Sequence, residues 1–118
     1  MAQLYTQTER SSGTYTATLS DENGDAVTAL DSLVVWLRDV SSGAYLNSRE
    51  GQSLLNANGG TFSAGALTWA MEPADHAIVG TGPIERHEAV FRATWDSGTK
   101  SKTWSVQWDV TNYAPVTA

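Results

Sequence analysis

Residues 88–110 read EAVFRATWDSGTKSKTWSVQWDV, and the alternation in this stretch decides the fold. Ala89, Phe91, Ala93 and Trp95 fall on one parity, with Glu88, Arg92, Thr94 and Asp96 between them, which is the period of a half-buried β-strand. The polar segment Asp96-Ser97-Gly98-Thr99 supplies turn chemistry, and the pattern then restarts. Trp104, Val106, Trp108 and Val110 take the apolar parity, while Thr103, Ser105, Gln107 and Asp109 take the polar one. Two such strands across a short turn make an antiparallel hairpin with one face on a core.

The chain upstream repeats the theme in shorter pieces. Tyr15, Ala17 and Leu19 alternate with threonines and Ser20, and the turn Asp21-Glu22-Asn23-Gly24-Asp25 ends that strand. Leu33-Val34-Val35-Trp36-Leu37 is continuously apolar and too short for a helix, so it reads as a central strand buried on both faces. Ser41-Ser42-Gly43 forms a turn before a short strand over residues 44–48, and Asn56-Ala57-Asn58-Gly59-Gly60 is the strongest break in the chain. Thr61 to Ala64 form another short strand. Leu67, Trp69 and Met71 alternate once more, and Pro73 closes their strand because it has no N–H for a ladder. Residues 73–86 read as the longest irregular connection, with at most one helical turn between Glu72 and Ile78. About seven short strands with turn signals every eight to twelve residues predict an all-β fold, an immunoglobulin-like antiparallel β-sandwich, with an up-and-down barrel as its rival.

Composition narrows the function. At 118 residues the chain reads as one domain, 1–118, able to bury a sizeable core without staples. The absence of cysteine removes disulfides, thiolate nucleophiles and cysteine-ligated zinc, and suits a reducing compartment. No signal-peptide pattern or membrane-length apolar run is visible. A net charge of −6 opposes direct binding to nucleic acid or to anionic membranes. Residues 1–12 and 113–118 read as terminal arms that reach neighbouring subunits, with an ordered edge strand as the competing reading of the first arm.

Motifs for chemistry are missing. The acidic turn at 21–25 has its glycine fourth and Ser32 at the twelfth position, which is not the spacing of a calcium loop. Gly80-Thr81-Gly82-Pro83 lacks the lysine and hydroxyl of a phosphate loop, and no serine sits in a nucleophile elbow. His76 and His87, with Asp75, Glu85 or Glu88 as helpers, have a spacing that encodes no metal site, and both are expected on the loop surface. The expectation is a protein that is not an enzyme and holds no cofactor or metal. The five tryptophans are all assigned to the core: Trp36 from its apolar strand, and Trp69, Trp95, Trp104 and Trp108 from their parity. The alternative, a carbohydrate-binding or adhesion module, needs exposed aromatic rings, for which Tyr5, Tyr45 and Tyr113 are the candidates.

The order of the Asn23-Gly24 turn, the strand Leu33 to Leu37, the glycine break before Thr61-Phe62, Leu67-Thr68-Trp69 ahead of Pro73-Ala74-Asp75, and His87-Glu88-Ala89-Val90-Phe91 resembles small immunoglobulin-like proteins of tailed-bacteriophage virions. It is similar, more loosely, to the N-terminal domain of phage baseplate upper proteins. The segment Gly82-Pro83-Ile84-Glu85-Arg86 departs from that pattern, replacing a small-residue turn. The resemblance implies a structural or accessory protein of the neck, capsid surface or tail, with no catalytic residues to transfer. It also implies other virion proteins as partners, a symmetric homo-oligomer, ring or lattice, and assembly in the host cytoplasm. Interface candidates are Leu4, Tyr5 and Tyr113 from the arms, and His76, Ile78, Ile84 and Arg86 from the 73–86 connection.

Overall fold

A computed structural model describes residues 13–80 and 82–111, together with the backbone of residues 7 and 8. The strands are β1 (Gln7–Thr8), β2 (Gly13–Thr18), β3 (Ser32–Asp39), β4 (Tyr45–Ser53), β5 (Gly60–Ser63), β6 (Ala66–Met71), β7 (Ile84–Trp95) and β8 (Lys100–Thr111). Among the described residues there is one 3-10 turn, η1, which spans Pro73–His76, within the stretch where the sequence allows one helical turn. Among the described residues, no helix is long and apolar enough to cross a membrane.

The strands form two sheets, ordered β1-β8-β7-β3-β4 and β2-β6-β5. The chain is therefore the all-β antiparallel sandwich that its alternation predicts, with seven strands of four residues or more among the described residues. In immunoglobulin lettering, B-E-D lies against G-F-C-C′. The exception to antiparallel pairing is β1, which runs parallel to β8 with Gln7 opposite Val110. That part of the N-terminal arm is an edge strand of its own sheet rather than a free extension.

The β7–β8 hairpin is the longest ladder, running from Ile84 opposite Thr111 to Trp95 opposite Lys100. Its turn places Asp96, Ser97 and Gly98 at positive φ, a conformation that aspartate and glycine accept readily. The turn is anchored by the Gly98 amide, which donates to Asp31 Oδ2 at 2.7 Å. Tyr15 of β2, Phe91 of β7 and Trp104 of β8 form a continuous stack, with centroids 5.2 Å apart at each step, and Trp69 of β6 meets Phe91 edge-on at 5.7 Å. Antibody domains tie strands B and F with a disulfide. Here Tyr15 and Phe91 join the same two strands by ring packing, and Trp104 of the neighbouring β8 adds a hydrogen bond from its Nε1 to the Tyr15 hydroxyl.

Four local expectations need correction. First, β3 is buried on one face only: Leu33, Val35, Leu37 and Asp39 point inward, while Val34, Trp36 and Arg38 are half-buried on the outer face. Trp36 and Trp95 are thus only partly covered, whereas Trp69, Trp104 and Trp108 are core residues. Second, β7 begins at Ile84, which shortens the irregular connection after η1 to residues 77–83. Third, the strand expected over 44–48 extends to Ser53 and is broken by positive φ at Asn47, Ser48 and Gly51. Two register shifts against β3 mark the same irregularity. It puts both Leu46 and Arg49 inside, although they are an odd number of residues apart. Fourth, both histidines are fully buried instead of lying on the surface.

Candidate functional site

The inner parity of β7 is apolar through Phe91 and Ala89, but followed backward it reaches His87 and then Glu85. On β3 the inner parity Leu33, Val35, Leu37 ends at Asp39, whose cross-strand partner is His87. Three titratable side chains therefore sit on the core face at one end of the long sheet: Asp39 at 3% exposure, Glu85 at 9% and His87 at 0%. Polar groups are tolerated inside only where other polar groups meet them. Here the 77–83 connection presents backbone N–H groups that no ladder uses.

Glu85 takes those amides. Its Oε1 accepts from Val79 N at 3.0 Å, its Oε2 accepts from Gly80 N at 2.7 Å, and Oε1 lies 2.6 Å from His87 Nε2. A carboxylate only accepts, so Nε2 carries the proton of that contact. Asp39 Oδ2 accepts from the Ser42 amide at 3.0 Å and the Ser42 hydroxyl at 2.6 Å. Asp39 Oδ1 and His87 Nδ1 have no hydrogen-bond partner among the described residues. One donor atom from each of Asp39, Glu85 and His87 lies within 4.8 Å of the others. The His87 ring stands edge-on to Trp108 at 6.3 Å.

The cluster opens onto a recess of about 510 Å³ lined by Asp39, Ser42, Val79, Gly80, Ile84 and Glu85. All four large hydrophobic residues that are exposed among the described ones, Val40, Tyr45, Val79 and Ile84, belong to this end of the sheet. Val40 N donates to Arg86 O at 2.9 Å, Tyr45 pairs with Arg38, and Val79 and Ile84 line the recess. Ile84 is the most exposed, at 59%.

Of the residues singled out in the sequence, Ile84 and Arg86 lie at this end and face solvent, Arg86 bridging to Asp109 at 2.9 Å. Ile78 is partly buried against the core. His76 is fully buried with its ring 6.0 Å from that of Trp108, because η1 turns it inward, so it offers no contact surface. Leu4, Tyr5 and Tyr113 lie outside the described residues. The residues alone mark Glu85 only as a helper to a histidine and do not mark Asp39 at all. The signal for both was strand parity, extended to the ends of the strands.

On the outer face, Glu88 accepts from Gln107 Nε2 at 2.9 Å and from Arg38 Nη2 at 2.7 Å, which together hold its carboxyl below the usual 4.5. At Asp39, burial works against the charge, but the Ser42 hydroxyl and amide, the Ser41 amide and the nearness of His87 outweigh it, leaving the carboxyl below 3.8. Both groups are lowered by folding, so their contribution is present above their unfolded values and is lost as pH falls through the folded ones. The melting temperature is expected to drop as pH goes from about 5 to about 3, and Glu88→Gln to make that drop shallower. A thermal-shift series that stays flat over the range would contradict both assignments.

No protein-family model, curated protein or solved structure matches this chain.

Proposed function

We propose that this protein is a non-catalytic structural or accessory component of a tailed-bacteriophage virion, assembled in the host cytoplasm, that docks one end of its long sheet against neighbouring subunits. The observation that carries the docking reading is the gathering of Val40, Tyr45, Val79 and Ile84 at that end. Isolated exposed apolar residues are ordinary on any protein, but their restriction to one end is what an interface leaves behind in the free subunit. The rim is polar, with the Arg86–Asp109 pair on the outer face and Ser41 and Ser42 beside the recess, matching the apolar centre and hydrated edge of a subunit contact. The virion assignment is supported by the sequence resemblance and by an acidic chain poorly suited to direct contact with nucleic acid. For glycan binding, Tyr45 is the one exposed aromatic candidate among the described residues, and Trp69, Trp104 and Trp108 are buried, so no pair of exposed rings supports that alternative there.

The test is incorporation. Quantitative mass spectrometry of particles from a lysate producing the chain is expected to find it at a fixed copy number. Ile84→Asp, which adds charge at an exposed site and so preserves the melting temperature, is expected to lower that copy number at least tenfold. Absence of the wild-type chain from particles would rule out the virion reading, and normal incorporation of the variant would rule out the docking end.

A further inference from the structure

We propose that Asp39, Glu85 and His87 bind one divalent transition-metal ion of the zinc class at the recess end of the sandwich. The inference is independent of the virion reading. Its first ground is the donor set: two carboxylates and an imidazole converge so that one atom of each lies within 4.8 Å of the others. An ion held at about 2.0–2.2 Å from nitrogen and oxygen ligands spaces them about 3.4 Å apart, so the outermost of these atoms close by up to about 1.4 Å and the 2.6 Å His87–Glu85 contact opens, both within the reach of side-chain rotation. The second ground is unmet bonding capacity. Asp39 is 97% covered and His87 completely so, yet Asp39 Oδ1 and His87 Nδ1 have no partner among the described residues. Buried polar atoms are normally paired, and an ion seated among the three residues takes the open Asp39 Oδ1 and replaces the proton that His87 Nε2 directs at Glu85 Oε1, 2.6 Å away.

Charge gives the third ground. Two nearly buried carboxylates near one another face a single imidazole, so without an ion the site carries excess negative charge away from water. A doubly charged cation balances both carboxylates. The mixed nitrogen and oxygen donors favour zinc, cobalt or nickel over calcium, which takes six to eight oxygens. The surroundings are those of a supported site. Ser42 holds Asp39 through its other oxygen, and the Val79 and Gly80 amides hold Glu85, so the ligands are oriented from outside. Asp39 and Glu85 line the recess, which gives water and an ion a way to the cluster. An ion here joins the end of β3 to β7 and, through Glu85, to the 77–83 connection, which makes its role structural.

The probe is the metal alone. Full-length protein stripped with EDTA is expected to take up one equivalent of Zn²⁺ by isothermal titration calorimetry, with a rise in melting temperature that EDTA reverses and Ca²⁺ does not reproduce. Asp39→Asn, which keeps the shape and the Ser42 contacts, and His87→Gln are each expected to weaken Zn²⁺ binding at least tenfold. Should either variant fail to fold, long-range ¹H–¹⁵N spectra of the wild-type protein decide: one equivalent of Zn²⁺ is expected to shift the ring nitrogens of His87. No uptake of Zn²⁺, unchanged binding in folded variants, an equal response to Ca²⁺, or unmoved His87 nitrogens would each overturn the proposal.

Discussion

Arg49→Ala is expected to destabilise the protein by about 3–5 kcal/mol, the usual cost of breaking a buried ion pair from one side. Arg49 is 1% exposed and Asp75 is 0%. The guanidinium holds the carboxylate in a fork, with Nε on Oδ1 and Nη2 on Oδ2 at 3.0 Å. The remaining capacity of Asp75 is met by Asn47 Nδ2 at 3.0 Å and by the Glu72 amide at 2.7 Å, which fastens η1 to β4. Arg49 also donates to Gln52 Oε1 and lies over the Trp69 ring, 5.2 Å from its centroid. Removing the arginine leaves a buried carboxylate without its counter-charge, and removing the aspartate leaves a buried cation. The double variant Arg49→Met/Asp75→Leu is expected to recover much of either single loss, because apolar replacement of a whole buried pair is often close to neutral. Urea unfolding of Arg49→Ala and of the double variant checks this, and an Arg49→Ala protein within 1 kcal/mol of wild type would refute it.

Phe91→Ala is expected to cost a similar amount, about 3–5 kcal/mol from lost burial and the cavity left behind. Phe91 is fully buried and touches three aromatic rings: Tyr15 and Trp104 on its faces and Trp69 at its edge. Each such pair adds about 0.5–1.5 kcal/mol beyond area, so the loss belongs at the upper part of the range. A domain of this size has a total stability of about 5–15 kcal/mol, so the variant is expected to lose a large share of it. Phe91→Leu, which retains much of the volume, is expected to cost clearly less. Equal losses for the two variants by denaturant titration would show that ring stacking across β2, β7 and β8 is not what holds the sheets together.

Much of this framework is legible in the chain because strand chemistry is local. The alternation Ala89-Phe91-Ala93 and Trp104-Val106-Trp108 identifies the hairpin, and the Asn-Gly and Pro positions punctuate the shorter strands. Reading fails where the period itself is disturbed. In β4, positive φ at Asn47 and Ser48 shifts the parity, so Arg49 joins Leu46 inside, and no pattern in the residues announces it. Continuous apolar character misleads in β3, where Trp36 and Val34 lie half-covered on the outer face. The recess cluster lies between these cases. Its members stand at inner parity, but a charged residue at the end of an apolar alternation reads as the end of the strand.

The sequence by itself determined that the chain is all-β and antiparallel, where its main turns fall, and that the tryptophans of β6 and β8 are core, while the choice of sandwich over barrel came from the two separate sheets. The first three follow from side-chain period and turn propensity, which act over a few residues. Only the tertiary structure decided that Asp39 and His87, 48 positions apart, are cross-strand partners and that Glu85 joins them under the 77–83 connection. It also decided that Arg49 meets Asp75 in the interior. Pairing and burial set these contacts. A buried carboxylate is held in place by the donors folding brings to it, and residues far apart in the chain carry no local record of that meeting.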